Sequence, residues 1–410
     1  MERKTRQYAC ASADPAMSAP DPASKRRAVL LLCLVVICGM SPWFATGAAI
    51  MDIARERGVG PVLQALLSSA VQAGFVIGAL AVAMTGIADR FDPRRIMALS
   101  ALLNGLMSLA LLVVPPGTPG SVALRFGVGI GFAGIYPVGM KIMVGWGQKD
   151  RGFLVGVLVG ALTFGSALPH LAAWAGGTGW RVVIAATGIA SILAAVLALR
   201  LRLGPYHARV ASFDPRAIRL VWADRPIRAA VGGYLGHMWE LYAFWSWIGV
   251  IAATSYATRI AAPEAASLAA LTAFLAVAIG AVFCVPAGWL ADRLGKARIA
   301  EGAMWLSGAA GLAMAAAYGG PVWLVFALLL LWGAAIIPDS AQFSALIADH
   351  APPEIAGSLM ALQTALGFLL TILTVQLTPL LAEAIGWHWT LALMALGPAF
   401  GIRALRTVWR

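Results

Sequence analysis

Five ionisable residues of this sequence lie inside long apolar stretches. They are Arg125, Lys141, His237, Glu240 and Asp339. An ionisable side chain at the centre of a bilayer costs about 2.5–3.5 kcal/mol on insertion scales, so each one needs a partner or a water-filled cavity. Such residues are typical of proton relays and solute sites within membranes, and these five are therefore the first candidates for chemistry.

Glu240 and His237 are three residues apart, so their side chains share one face of a helix. Glu240 falls near the middle of its apolar stretch. A carboxyl group that gains and loses a proton at that depth can couple proton movement to solute movement. We predict Glu240 and His237 as proton-coupling residues, with Asp339 as the rival carboxylate or as a gate residue paired with Lys141. The alternative is a buried pair that only holds helices together.

Substrate contacts are predicted for Arg125 and Lys141, because two cations beside a cavity favour a negatively charged solute. The predicted solute is accordingly an organic anion or carboxylate, although a zwitterion or a polar neutral solute stays open. Trp43, Trp239 and Gln363 are further candidates, because aromatic surface and an amide suit a planar polar solute. The alternatives are that Lys141 extends to the membrane interface and that the tryptophans only pack.

The elements that carry these residues are apolar runs long enough to cross a membrane. The chain has 410 residues, of which 60% are hydrophobic and 12% charged. A helix rises about 1.5 Å per residue, so about 20 apolar residues span the roughly 30 Å hydrocarbon core. Twelve runs fit this length, near 28–50, 62–85, 95–114, 121–146, 152–173, 180–200, 229–254, 265–289, 299–317, 321–347, 355–381 and 387–405. The predicted fold class is an all-α polytopic membrane protein.

Charge and proline divide the chain into four predicted regions. A polar tail, predicted to be disordered, covers 1–27; a six-helix half follows at 28–200, a charged linker at 201–228 and a second six-helix half at 229–410. Of the 30 Lys and Arg residues, 24 fall on the side of the tail and linker and four on the other side. Positive loops stay cytoplasmic, so both termini are predicted in the cytosol, in a bacterial-type inner membrane.

Three features recur at nearly one spacing and indicate that the halves are repeats. Asp-Arg follows span two at Asp89 and span eight at Asp292, 203 residues later. Gly-Trp opens spans six and twelve at Trp180 and Trp387. Proline interrupts spans four and ten at Pro137 and Pro338. Pseudo-symmetric halves therefore account for the pattern.

The duplicated Asp-Arg loop, the twelve spans and the central linker resemble the major facilitator superfamily, over essentially the whole chain from Ala28. The resemblance implies secondary transport by alternating access and a cytoplasmic gate made by loop residues of both halves. These gate residues are Asp89, Arg90, Arg94, Arg95, Asp292, Arg293 and Arg298. It also implies that Arg125 reaches toward span one, and that spans one, four, seven and ten line a central cavity. The buried carboxyl groups predict that transport is coupled to protons, with symport, antiport and uniport left open.

The first loop departs from the family pattern, because Asp92 stands where the family has glycine. The chain also looks distantly like the nitrate and cyanate permease relatives. The arginines that nitrate carriers place inside spans two and eight are absent from this sequence, so nitrate is not the predicted solute.

Other functional classes have little support. The sequence has no His-Glu-x-x-His, no Gly-x-Ser-x-Gly and no paired intramembrane aspartates, so we predict no enzyme, no metal site and no cofactor. The net charge of +12 is spread over helix ends, so nucleic acid is not a predicted partner. The predicted partners are a small solute, protons and the lipid bilayer, and the predicted state is a monomer. One alternative is a transporter-like receptor or accessory protein that binds a solute without moving it.

Overall fold

The computed structural model describes residues 21–147, 150–176, 179–206 and 214–409, without the side chains of residues 88, 89, 151 and 353. All regular secondary structure in these ranges is helical. The first half contains α1 (Pro22–Met40), α2 (Ala45–Ala48), α3 (Ile50–Arg57), α4 (Pro61–Thr85), α5 (Ile87–Arg90), α6 (Pro93–Ala110), α7 (Pro119–Phe132), α8 (Tyr136–Val144), α9 (Arg151–Ala175) and α10 (Trp180–Ala198). The remainder contains α11 (Arg216–Ala223), α12 (Arg225–Tyr256), α13 (Ala262–Leu294), α14 (Lys296–Ala317), α15 (Val322–Ile336), α16 (Ser340–His350), α17 (Pro353–Met394) and α18 (Leu396–Arg406).

Twelve membrane crossings follow from these helices. Eight segments of the described chain are long and apolar enough to cross a bilayer. One of them, Glu354–Arg406, has 53 residues and would be about 80 Å long if straight, more than twice the hydrocarbon thickness. It breaks at Gly386, where φ is 82°, and so makes crossings eleven and twelve. Helices α1–α3, α6 and α12 supply crossings one, three and seven, in which polar residues lower the hydropathy.

The predicted disordered tail is shorter than 1–27. Residues 1–20 of the predicted tail lie outside the described residues, but 22–27 are helical rather than disordered. Asp21 caps α1 by accepting hydrogen bonds from the backbone N–H groups of Ala23 and Ser24, and Pro22 occupies the first helical position. Within the predicted linker lies the amphipathic helix α11, and α12, which supplies the seventh crossing, begins at Arg225.

Three crossings are interrupted near their middle. The first breaks between α1 and α2 at residues 41–44, the fourth between α7 and α8 just before Pro137, and the tenth between α15 and α16 at Pro338. The fourth and tenth crossings break at the predicted repeat positions. Proline lacks an N–H group and prevents a continuous helix at these points. The breaks leave backbone groups and side chains at mid-membrane that an unbroken helix would cover.

The two halves meet along two pairs of crossings. Helix α9 packs against α13, and α4 packs against α17. Within the first half, α4 and α7 approach so closely that a Cβ atom at Gly129 would collide with the Val71 carbonyl. The glycines at 129, 131 and 134 therefore serve close packing, as predicted, although their spacing matches a dinucleotide-binding pattern. We call the end of the bundle that carries 201–206 and 214–224 the linker face, and the other end the opposite face.

Candidate functional site

Arg125 fills the break in the first crossing. Its side chain is fully buried and donates hydrogen bonds to the carbonyl oxygens of Pro42 (Nη1, 2.8 Å), Trp43 (Nη2, 2.5 Å) and Leu67 (Nε, 3.0 Å). Backbone groups freed by a helix break in a membrane must be satisfied within the protein, and the guanidinium group does this for the first crossing. The predicted reach toward span one is thus observed, and the contacts of this predicted substrate residue are backbone carbonyls.

A buried layer of seven aromatic side chains lies between the two halves. We call it the aromatic layer, and its members are Trp43, Phe44, Phe75 and Phe132 of the first half with Tyr242, Trp245 and Phe368 of the second. Trp43 is central, because its ring centroid lies 4.7 Å from Phe132, 5.5 Å from Phe368 and 5.8 Å from Tyr242. Pairs with centroids about 4.5–7 Å apart attract each other beyond their buried area. The layer therefore joins the halves at mid-membrane.

Polar contacts join the halves on the opposite-face side of this layer. Gln376 on α17 donates a hydrogen bond of 2.6 Å to the Ser69 hydroxyl on α4. A Cβ atom at Gly47 would lie 3.2 Å from the carbonyl oxygen of Ser246 on α12, so α2 and α12 are in direct contact. Together with the aromatic layer, these contacts close the path between the halves toward the opposite face.

His237 and Asp339 form a buried pair between the seventh and tenth crossings. His237 Nδ1 lies 2.9 Å from Asp339 Oδ1, and both side chains are at most 3% exposed. The two atoms are close but poorly aligned for a hydrogen bond, and His237 Nε2 has no hydrogen-bond partner among the described residues. His237 lies 12 residues into α12, about 18 Å along the helix from the linker face. Asp339 lies in the break between α15 and α16, at the residue before the first turn of α16.

Glu240 lies one turn from His237 but has different partners. Its Oε1 atom accepts a hydrogen bond of 2.6 Å from Trp332 Nε1 on α15, and its Oε2 atom accepts one of 3.0 Å from the Ser307 hydroxyl on α14. The carboxyl group is 1% exposed. Both donors belong to the second half, so Glu240 ties the seventh, ninth and tenth crossings to one another. The pairing of Asp339 with His237 likewise replaces the alternative in which Asp339 pairs with Lys141.

Tyr234 and the interface with the first half lie near the His237–Asp339 pair. The Tyr234 ring centroid is 6.0 Å from that of His237. Helix α16, which begins directly after Asp339, packs against α9 of the first half. Lys141 is half-buried on α8, toward the linker face from Tyr136. The pair therefore lies close to the interface between the halves.

Two of the predicted solute ligands have buried polar atoms that form no hydrogen bond with any described residue. Gln363 on α17 is fully buried, and neither its amide oxygen nor its amide nitrogen has a hydrogen-bond partner among the described residues. The same is true of Trp43 Nε1 in the aromatic layer. Buried polar groups are normally hydrogen-bonded, so these atoms are available to a bound solute or to water. Trp239, in contrast, has a protein partner. Its Nε1–H group donates a hydrogen bond of 3.1 Å to the carbonyl oxygen of Leu393 in the twelfth crossing.

The predicted gate residues lie on the linker face, in unequal surroundings. The Asp292 carboxylate is next to Gly152 in the first turn of α9, so it reaches from the second half to a helix N-terminus of the first. Arg293 stacks on Trp289, with its Cζ atom 3.7 Å from the ring centroid. The side chains of Arg90, Arg95 and Arg298 are exposed, and that of Asp89 lies outside the described part of the chain.

Asp92 explains how the first loop departs from the family pattern. Its carboxylate caps α6 by accepting from the Arg94 backbone N–H group (2.9 Å) and pairs with Arg94 Nη2 at 2.7 Å. The hydrogen bonds and charge of Arg94 lower the pKa of Asp92 below its ordinary value of 3.8. Asp-Pro is a sequence signal for a helix start, so this contact was available to sequence reasoning.

Sequence reasoning missed several residues of the site. Nothing in the sequence distinguishes Phe75, Phe132 and Phe368 from ordinary apolar residues of a span, and Tyr136 only precedes a repeat marker. One signal was present for the tyrosines. Tyrosine favours the membrane interface, so Tyr136 and Tyr234 in the interior of apolar runs are unusual.

Comparisons with known proteins agree with this architecture. The family model described as Major Facilitator Superfamily matches residues 31–373. A bacterial homolog of the human lysosomal transporter Spinster, in an inward-facing and unoccupied conformation, has a TM-score of 0.74 at 15% identity, covering 94% of this chain and 98% of its own. The xylose transporter XylE from E. coli, in a partially occluded inward-open conformation, has a TM-score of 0.72 at 14% identity, covering 95% and 98%. A point mutant of the nucleoside transporter NupG has 0.71 at 14%, covering 94% and 100%. No curated protein sequence matches the chain.

Proposed function

Since this chain belongs to the major facilitator superfamily, and is thus a multi-pass membrane transporter rather than an enzyme, we propose that it moves a small solute by proton-coupled alternating access. The observation that carries the proposal is the buried His237–Asp339 pair, 2.9 Å apart, beside the interface between the halves. An imidazole and a carboxyl group in contact can share one proton or hold a second. A change of their surroundings during transport then changes how many protons the pair holds.

Asp339 is a better candidate than Glu240 for the group that carries the coupled proton. Both oxygens of Glu240 accept hydrogen bonds from Trp332 and Ser307, which move with Glu240 because all three belong to the second half. Asp339 lies in a helix break, and α16, which begins at the next residue, packs against α9 of the first half. Relative motion of the halves therefore alters the surroundings of Asp339 more than those of Glu240.

The aromatic layer and the helix breaks support the alternating-access part of the proposal. Rocking of the halves requires a contact at mid-membrane that can separate, and packing between aromatic rings separates without leaving unpaired charges. The interrupted first, fourth and tenth crossings supply local compliance. The inner-membrane location with both termini in the cytosol is part of the same proposal, and rests on the charge distribution between the two faces.

The proposed solute is small and polar, with a planar or apolar part. Gln363 offers an amide oxygen and an amide nitrogen, Trp43 offers an N–H donor, and the aromatic layer offers flat apolar surface. The preference for an organic anion depends on Lys141, because the guanidinium group of Arg125 is bound to backbone carbonyls.

The first experiment is a thermal-shift screen of the purified protein against organic anions, sugars, nucleosides and amino acids. A ligand that binds only the folded state raises the apparent Tm. We expect Gln363→Leu to reduce this shift for the true solute, and Gln64→Leu, at a half-buried position in the first turn of α4, to leave it unchanged. The hits are then tested in proteoliposomes with and without an imposed proton gradient. Equal transport in both conditions would contradict proton coupling, and binding without any flux would favour a receptor over a transporter.

A further inference from the structure

A groove of about 1050 Å³ opens on the outer surface of the second half, away from the aromatic layer. Its walls are α14 and α18, and the first residue of α12 closes it at the linker face. Small residues on both helices make room for it, namely Gly308 and Ala309 on α14 and Ala395 and Ala399 around the start of α18. Its volume matches the upper end of ligand pockets, which hold about 300–1,000 Å³.

The rim of the groove at the linker face is basic. Arg225, Arg403 and Arg406 line it. Arg406 is paired with Glu301 (Nη2 to Oε1, 2.5 Å), and Arg225 donates to the Thr407 carbonyl (Nη2, 2.6 Å). Arg403 is exposed on the last turns of α18, and the three arginines leave a net positive rim even after Glu301 is counted. Arginine at such a position suits a phosphate group, because its planar fork can donate two parallel hydrogen bonds.

The deeper part of the groove is apolar. Leu312 on α14 is 52% exposed, and Ile402 and Pro398 complete the wall. Trp305 lies nearer the rim, with its ring centroid 5.6 Å from Arg406 Cζ. From Ala395 to Val408 the groove follows roughly 13 residues, or about 20 Å of helix. One leaflet of the hydrocarbon core is about 15 Å deep, half of about 30 Å. The groove is thus basic where a lipid headgroup lies and apolar where its acyl chain lies.

We propose that this groove between α14 and α18 is a binding site for an anionic phospholipid, with the phosphate at Arg403 and Arg406 and one acyl chain along Leu312 and Ile402. Charge complementarity selects an anionic lipid over a zwitterionic one, because a zwitterionic headgroup brings its own cation to a positive rim. Every wall of the groove belongs to the second half. The site therefore keeps its shape when the halves rock, and the lipid stabilises the second half without depending on which face is open.

The test uses the full-length protein in detergent with phosphatidylglycerol or phosphatidylcholine of identical acyl chains. Binding is followed by native mass spectrometry and by the apparent Tm. We expect wild type to bind phosphatidylglycerol at least about tenfold more tightly than phosphatidylcholine, and R403A/R406A to lose that preference. The matched control is R200A/R202A, which removes two arginines at the end of the sixth crossing. Arg200 and Arg202 precede Arg403 and Arg406 by 203 and 204 residues, so they are the repeat counterparts of these two rim arginines.

A second variant tests the apolar part without changing charge. Ala399 is exposed on the groove wall, and A399F fills it with a benzyl group. We expect A399F to weaken phosphatidylglycerol binding while its lipid-free Tm stays close to that of wild type. Equal binding of the two lipids by wild type would overturn the proposal. So would equal loss in R200A/R202A and R403A/R406A, since general surface charge would then explain the preference. Binding of glycerophosphoglycerol, the headgroup alone, as tightly as the whole lipid would show an anion site and overturn the acyl-chain part.

Discussion

The two halves of this transporter bury charge in different ways. In the first half, the buried guanidinium of Arg125 donates to three backbone carbonyls. In the second half, the buried carboxyl groups of Asp339 and Glu240 contact side chains, respectively His237 and the Trp332–Ser307 pair of donors. The halves share a repeat in sequence and in helix breaks, but the chemistry at mid-membrane is not repeated.

This difference indicates which half of the transporter can respond to protons. A guanidinium group stays protonated and, held by fixed carbonyls, it can only stabilise the backbone around it. A carboxyl–imidazole pair can exchange protons with a cavity and can change partners. We therefore expect substitution of Arg125 to alter stability, and substitution of the His237–Asp339 pair to alter coupling.

The largest expected effect is that of Asp339→Asn. This change keeps the shape of the side chain but removes the charge that faces His237, so the pair can no longer gain and lose a proton together. We expect proton-driven accumulation in proteoliposomes to be abolished, while downhill exchange of the solute continues. Substrate-driven proton movement, measured with a pH-sensitive dye, should also disappear.

Asp349→Asn is the control for this variant, because Asp349 is on the same crossing and pairs with Lys296 at the linker face (2.5 Å). It should leave accumulation intact. If Asp339→Asn still moved protons with its solute, the pair would not be the coupling site, and the contrast between the halves would be structural only.

The next effect in size is that of Arg125→Leu, which removes the donor to the Pro42, Trp43 and Leu67 carbonyls. An unsatisfied buried acceptor costs about 1–3 kcal/mol. We expect a clear drop in apparent Tm and in the yield of folded protein. Arg125→Lys should recover only part of it, because an ammonium group cannot reproduce a planar fork. Arg90→Leu, at an exposed position of the same half, is the control. Normal stability of Arg125→Leu with weakened solute binding would restore Arg125 as a solute ligand.

The sequence was sufficient for the architecture because bilayer thickness sets the length of each span and arginine and lysine mark one face. It also located the breaks at Pro137 and Pro338, although proline alone is not a sufficient signal, because α9 and α13 continue through Pro169 and Pro286. Helix α1 begins at Pro22, six residues before the predicted span at Ala28, and Asp21-Pro22 is the capping signal for that start. The same signal at Asp92-Pro93 accounts for what the sequence shows only as a departure from the family loop.

The site was harder to predict because its contacts join residues far apart in sequence. Spacing along one helix suggests that His237 acts with Glu240, three residues away. The partner of His237 is Asp339, 102 residues later, and the donors to Glu240 are Ser307 and Trp332 on two other helices. Sequence periodicity shows which face of a helix a residue occupies, but not which helix covers that face. Only the packing of the crossings settles these partners.

A smaller effect is expected for Glu240→Gln. Glutamine keeps an acceptor oxygen for Trp332 Nε1 but offers an amide where the Ser307 hydroxyl donated, so we expect a modest fall in Tm and nearly normal accumulation. Scanning calorimetry and the proteoliposome assay measure the two quantities on the same preparation. Loss of accumulation with unchanged Tm would instead make Glu240 the coupling carboxylate, as its central position in the seventh crossing first suggested.

The smallest expected effect lies on the opposite face, where the Glu56 side chain at the end of α3 contacts two side chains at the start of α10. Its Oε2 atom accepts from Trp180 Nε1 (2.7 Å), and its Oε1 atom lies 2.7 Å from Arg181 Nη2. The Arg181 and Trp180 hydrogen bonds lower the pKa of Glu56 from 4.5 to about 2. A lowered pKa in the folded state means that the contact stabilises the protein above about pH 4.5 and that this contribution is lost as pH falls toward 2. Because the carboxylate is 41% exposed, solvent screening keeps the contribution small.

We expect Glu56→Gln to lower the apparent Tm slightly at about pH 7, and the difference in Tm from wild type to narrow between pH 4.5 and 2. Glu264→Gln, at an exposed acid in the first turn of α13 on the same face, is the control for the change from a carboxylate to an amide. If the difference in Tm between wild type and Glu56→Gln stayed constant with pH, the Glu56 contact would act through shape alone. The charge of Glu56 would then contribute nothing to joining the first and sixth crossings.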